Sequence, residues 1–258
     1  MNKFDIYENI SSWIHLMVSE ANKDGVTIGI SGGIDSAVCG ALAKSALGPN
    51  KVHGLILPYY HDHHFEDALS VANSFNIQYS VIWINQIYDS IYDTGLLYRD
   101  LTKENTMARI RMTLLRAHTN EHNTLLIGTG NQSEYMIGYC TKGGDDEADI
   151  FPIIDLLKCQ VYELAGYINN LYSFNINIPQ EVIDKKPSAG LSPDQTDEDD
   201  LGMTYDILDK LIIQYKWDIP AQGVTEEQRK RFSELYKNSE HKRCGIQCPN
   251  IPSFKLKP

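Results

Sequence analysis

Between residues 4 and 22 the apolar positions Phe4, Ile6, Tyr7, Ile10, Trp13, Ile14, Met17 and Val18 recur at helical spacing, and Asp24-Gly25 stops the run. The period then changes. Residues 26–30 are short and apolar and run into glycines, which predicts a strand, and the small residues of SAVCGALAKSAL from Ser36 predict a buried helix. The alternation continues with strands over 51–57 (closed by Pro58), 78–84 and 124–127, and with helices over 65–75, 105–118 and 158–171. Glu66 and Asp67 fall in the first turn of 65–75, where the helix dipole favours carboxylates. Residues 150–154 read as extended, and 201–215 and 226–239 as the last helices.

Strands alternating with helices of ten or more residues imply crossover units, hence an α/β fold with a parallel sheet flanked by helices on both faces. Ligands bind such sheets beyond the carboxyl ends of the strands, which directs attention to the loops at 31–36, 58–64 and 129–145. Residues 185–200 hold two prolines, a glycine and a run of carboxylates, the pattern of a mobile loop ending at a solvated helix start.

Composition narrows the possible partners. With 258 residues, 42% hydrophobic and 22% charged, the chain is globular and long enough to bury a core without disulfide or metal staples. Its 23 basic and 34 acidic side chains give a net charge of −11, which speaks against wrapping nucleic acid or lying on an anionic membrane. A local anion pocket remains compatible with that charge. Five cysteines without dense spacing point to a reducing compartment. The N-terminus lacks the pattern of a leader, and no run of about 18 apolar residues occurs, so a cytoplasmic protein is expected. His61, His63 and His64 in YYHDHH lack a ligand framework and read as a solvated loop, and Cys244 with Cys248 is a lone CxxxC without a second pair.

The strongest local signal is SGGIDS, Ser31 to Ser36, between a predicted strand and a predicted helix. Two glycines admit a phosphate close to the backbone, the serines add hydroxyl donors, and the helix start offers free N–H groups and the positive end of its dipole. Asp35 stands where a Walker A loop would carry no acid, and it is a hard oxygen ligand suited to magnesium. After the fourth predicted strand, Thr129 and Glu134 reach the same sheet edge, so Glu134 is the candidate second carboxylate of a magnesium site. Lys158 opens a helix, a poor place for a cation unless it serves an anion.

SGGIDS resembles the loop of the N-type ATP pyrophosphatases, which have an adenine nucleotide alpha hydrolase-like fold and cleave ATP between its α- and β-phosphates. NTMARIRM, GTGNQSE, GYCTKGGD, ADIFPIIDLLK, PSAGL, QTDED and HKR resemble, in order, the motifs of the NAD synthetase family, from about Val26 to Arg243. The resemblance implies ATP contacts from Gly29, Ile30, Ser31, Gly32, Gly33, Ile34, Asp35, Ser36, Thr129, Lys158 and Ser188, with Mg2+ on Asp35 and Glu134. It implies deamido-NAD contacts from Arg109, Lys142, Asp149, His241 and Lys242, while Arg111 and Arg116 are left to a solvated or dimer-facing surface. Asp145 is the candidate base for ammonium.

What the resemblance implies is amidation of deamido-NAD by ammonia and ATP, giving NAD, AMP and pyrophosphate, in a homodimer. Residues 1–258 are then one synthetase domain: N-terminal helix 4–22, nucleotide-binding core 26–175, mobile loop 185–200, C-terminal helices and tail 201–258. Only the N-terminal helix precedes the first strand, so no glutaminase domain is expected, though a separate glutaminase subunit stays open. Gly143 stands where the family usually has an aromatic residue, and Ser188 where many relatives have Thr. The rivals are another pyrophosphatase-loop enzyme, such as a GMP synthetase subunit or a tRNA thiolase, and a non-catalytic adenine-nucleotide sensor.

Overall fold

The computed structural model describes residues 2–60, 62–171, 176–187 and 196–244. Strands β1 (Gly25–Gly29), β2 (Val52–Ile56), β3 (Gln78–Val81) and β4 (Thr124–Ile127) form one parallel sheet in the order β3-β2-β1-β4. Thr27 of β1 pairs in register with His53 of β2 and Leu126 of β4. The helices are α1 (Lys3–Glu20), α2 (Ile34–Leu47), α3 (Phe65–Phe75), α4 (Asn85–Tyr92), α5 (Asp100–Glu121), α6 (Gln132–Ile137), α7 (Lys158–Asn169), α8 (Gln180–Asp184), α9 (Asp197–Leu201), α10 (Tyr205–Trp217), α11 (Glu226–Asn238) and α12 (Glu240–Arg243).

Side chains on a strand alternate between faces, and both faces here are covered. Val26, Ile28, Ile56, Leu125 and Ile127 join the core under α1, α2, α3 and α7, where Ile14, Leu42, Phe75 and Ile168 are buried. Leu55 and Leu126 point the other way, into a second core closed by Tyr88 of α4 and by Met107, Ile110 and Leu115 of α5. A third core joins α6 to α10 and α11 through Ile137, Leu208, Ile212 and Phe232. No helix among the described residues is long and apolar enough to cross a membrane. Cys39, Cys140, Cys159 and Cys244 are free, and Cys248 lies outside the described residues.

The expected strands and helices are present, with instructive differences at their ends. The 105–118 helix begins earlier, at Asp100, and α4 was not foreseen although Ile84, Tyr88 and Ile91 mark its buried side. The expected 201–215 helix is α10, which starts later, capped by Thr204 after Gly202; ahead of it lies the short α9, on which Thr196 closes a capping box. Residues 150–154 add a single parallel bridge, Ile127 to Ile150, instead of a strand. Of the 185–200 segment, 188–195 lie outside the described residues.

Gly25, read from sequence as a helix stop, opens β1. A Cβ there would sit 2.3 Å from the backbone oxygen of Lys51, so the approach of β1 to the start of β2 requires glycine. Gly25→Ala is therefore expected to cost about 1–3 kcal/mol of stability, read as a lower urea midpoint at unchanged m-value. An unchanged midpoint would show that Lys51 yields freely.

Candidate active site

The chain lays β2 and β3 on one side of β1 and β4 on the other, so the strand order reverses between β1 and β4. Loops leaving such a switch point diverge and leave a crevice at the carboxyl edge. A cavity of about 670 Å³ opens there. Its lining includes Gly29, Ile30, Ser31, Gly33, Ile34, Asp35 and Ser36 after β1, Thr129 and Glu134 after β4, and Lys158 at the start of α7.

The loop after β1 is held by its own serines. Ser36 Oγ accepts from Ser31 N (3.2 Å) and donates to Gly33 O (3.0 Å), while Gly33 N donates to Ser31 Oγ (3.2 Å). Gly33 is the N-cap of α2 and brings no side-chain cap, so the first N–H groups of this helix face the cavity unclaimed by a capping side chain. Gly32 does not line the cavity. With φ +79° it turns against the start of α3, where a Cβ would meet His64 O at 2.6 Å.

Opposite this cradle, Lys158 Nζ lies 2.5 Å from Asp35 Oδ2 and 3.1 Å from Glu134 Oε1, and its side chain is 3% exposed. Burial alone would lower the ammonium's pKa, but Asp35 and Glu134 outweigh it and the net shift is upward. For Glu134, burial pushes the carboxyl up to about 7, with Lys158 drawing it back down and Asp35 adding to the rise. Asn131 fixes the pair's geometry: its Nδ2 donates to Asp35 Oδ1 (2.9 Å), and its Oδ1 caps α6 at Glu134 N (3.0 Å). Tyr205 lies with its ring centroid 5.0 Å from Lys158 Nζ and donates to Asp197 Oδ2 (3.0 Å). The donor set is two hard-oxygen carboxylates, held side by side by a cation that an incoming metal ion can replace; it fits magnesium.

Several residues were not foreseen. Asn131 was legible as the head of an N-x-x-E capping box, whereas Asp209 carried no local signal. Asp209 accepts from Ser133 Oγ and from Cys159 N (2.9 Å), and Ser133 Oγ in turn accepts from Lys158 N (2.9 Å). Asp197 was expected in a solvated run, yet it is 4% exposed, takes hydroxyls from Tyr139 and Tyr205, and is raised by burial. Arg111, assigned to an outer surface, lines the cavity and donates from Nε to Leu57 O (2.9 Å). Asp62 and His64 of the loop read as solvated also line it, and His61 lies outside the described residues.

The residues expected to meet the second substrate divide. Lys242 lines the cavity and donates to Gly138 O (2.7 Å) and Cys140 O (2.5 Å). Arg109 Nε donates to Lys142 O (3.2 Å), and Lys142 Nζ to His241 O (3.2 Å), so these three form an exposed chain outside the lining. Asp149 stands apart: Arg116 Nη1 binds its Oδ1 (2.6 Å), and Leu126 N its Oδ2 (2.7 Å). Asp145 lines the cavity and accepts from Thr141 N (2.8 Å); the walls desolvate its carboxyl and raise its pKa. Gly143 adopts φ +72°, a conformation an aromatic residue would strain to reach. Ser188 lies outside the described residues.

An open helix start beyond a parallel sheet, with Asp35 in its first turn and Glu134 and Lys158 beside it, is the arrangement of an enzyme of the adenine nucleotide alpha hydrolase-like fold. A family model described as NAD synthase matches residues 6–245, and the chain belongs to this family of ligases that form C–N bonds. It is similar to the NH(3)-dependent NAD(+) synthetase of Pyrococcus furiosus, 42% identical over 98% of each protein. Among solved structures it resembles an NMN synthetase from Francisella tularensis, with TM-score 0.87 and 33% identity over 97% of this chain and 100% of that one. It also resembles the NH3-dependent NAD synthetase of Campylobacter jejuni, with TM-score 0.80 and 27% identity over 98% and 100%.

Lys158→Met removes the cation and leaves Glu134 without its cationic partner, with only Asn131 N and the Tyr205 hydroxyl donating to it. A loss of about 3–5 kcal/mol at pH 8 is expected. A carboxyl raised in the folded state holds a proton that the unfolded chain releases, so its penalty is absent below the unfolded value and grows as pH rises through the folded one. The variant's urea midpoint should therefore rise from pH 8 to pH 5 more steeply than the parent's. Parallel profiles would show that Glu134 is compensated elsewhere.

Proposed function

We propose that this enzyme makes NAD from deamido-NAD, ATP and ammonia. The observation that carries the reading is the open N-terminus of α2, with Asp35 in its first turn, set beside Glu134 and Lys158 in one cavity. Support comes from the names of relatives matched along nearly their whole length.

A carboxylate resists amidation because its charge repels nucleophiles and its oxygen leaves poorly. Adenylation removes both obstacles: the nicotinate oxygen attacks the α-phosphorus and pyrophosphate leaves. Ser31 to Ser36 and Lys158 hold the phosphates in line, with Thr129 and Ser188 as further ATP contacts. Magnesium, when bound by Asp35 and Glu134, supplies charge neutralisation on the departing pyrophosphate. Asp145, with its raised pKa, takes a proton from ammonium; ammonia attacks the acyl carbon and AMP departs. Arg109, Lys142, His241 and Lys242 supply positive charge and donors for the dinucleotide, and Asp149 offers whatever accepting capacity Arg116 and Leu126 leave.

A second reading takes nicotinate mononucleotide as the acid, and its support is the NMN synthetase among the structural relatives. The two share every step above and differ only in whether the second nucleotide is bound.

We place the enzyme in the cytoplasm as a homodimer. Exposed apolar side chains concentrate between residues 79 and 101, at Ile82, Trp83, Ile87, Tyr92, Leu96 and Tyr98. Leu101, 67% exposed, also lines the cavity, so this patch adjoins the substrate site.

Incubation with MgATP, ammonium and deamido-NAD should give NAD and AMP in equal amounts, and kcat/KM should be higher for deamido-NAD than for nicotinate mononucleotide. The opposite ratio selects the second reading; no product from either acid overturns both. Asp35→Asn should abolish AMP formation while leaving the far-UV spectrum unchanged. The double variant Ile87→Glu, Tyr98→Glu should run as a monomer in light scattering where the parent runs as a dimer; persistence of the dimer would move the interface elsewhere.

A further inference from the structure

A second polar cluster lies at the opposite edge of the sheet, where the strands begin. His53 of β2, His118 in the last turn of α5 and His122 at its C-cap each bring one ring nitrogen to within 4.8 Å of the others. The centroids of His118 and His122 are 4.1 Å apart, and those of His53 and His122 are 5.4 Å apart. None of the three lines the cavity described above.

The surroundings prepare these rings as ligands. Thr27 Oγ1 lies 2.9 Å from His118 Nδ1 and 2.6 Å from Thr124 Oγ1, and both threonines are buried. If His118 donates from Nδ1 to Thr27, and Thr27 donates to Thr124, each contact is satisfied, and the free lone pair of His118 is on Nε2. A hydrogen bond on one ring nitrogen is the usual way to orient a metal-binding histidine. The cluster also sits at the C-terminal end of a 22-residue helix, where the dipole favours a cation.

We propose that His53, His118 and His122 bind one divalent first-row transition-metal ion, with water in the remaining position. Three imidazoles select zinc, nickel or copper over magnesium. Tetrahedral zinc holds its nitrogen ligands about 3.3 Å apart, so binding draws the rings together, and the exposed His122 is the one free to move. The ion would clamp the end of α5 to β2. Because Asn105, Ala108 and Arg111 of the same helix line the cavity, the clamp would steady one wall of the site from its far end.

The test uses the untagged full chain, stripped with chelator and titrated with zinc in excess magnesium, which keeps the Asp35–Glu134 site out of competition. One equivalent of zinc should bind, raising the melting temperature, and His122→Ala should weaken binding by about tenfold or more while keeping the unliganded melting temperature and the synthetase activity. Cobalt in place of zinc should give visible bands without a thiolate charge-transfer band. The proposal is overturned if zinc does not bind, if His122→Ala binds it as the parent does, or if cobalt shows thiolate ligation.

Discussion

One buried ammonium organises the carboxyl edge of this protein. Lys158 starts α7, Asp35 lies in the first turn of α2, and Glu134 lies in the first turn of α6, so a single charge ties together three helices that enter the sheet from different loops. Two carboxylates this close would repel each other if left alone, and the ammonium offsets that repulsion. The arrangement is satisfied without any ligand. The charges at this edge are therefore already placed before anything binds there.

The support behind Lys158 is as specific as its ion pairs. Ser133 and Asp209 fix the backbone at Lys158 and Cys159, and Tyr205 covers the ammonium while bonding to Asp197. Apart from Ser133 of α6, these contacts come from α10 and α9, so the C-terminal helices do more than bury an apolar face: they back the lysine and its helix start. The third core, with Ile137, Leu208 and Ile212, is what presses α10 against α6 and keeps this backing in place.

The strands and the site loop were legible because they rest on local signals: short apolar runs, glycines at the strand ends and an acid at a helix start; the order β3-β2-β1-β4 was not. The pairing of Asp35, Glu134 and Lys158 was legible only through spacing of ordered motifs. What was not legible depends on long-range contact. Asp197 sits in a run of acids that reads as solvated, and only the approach of Tyr139 and Tyr205 buries it. Arg111 shares α5 with the exposed Arg109, and its inward turn depends on the Leu57 carbonyl just after β2. Gly25 looked like punctuation because sequence does not show the Lys51 carbonyl beside it.

Of the helix starts that line the cavity, those of α2, α6 and α7 are not equivalent. The start of α6 is closed by Asn131 and that of α7 by Ser133 and Asp209, whereas α2 begins at a glycine that brings no side-chain cap. Among these three, only the start of α2 leaves its backbone donors without a capping side chain. This asymmetry gives the crevice a direction: backbone N–H groups are open on its β1 side, and side-chain oxygens close the starts of α6 and α7.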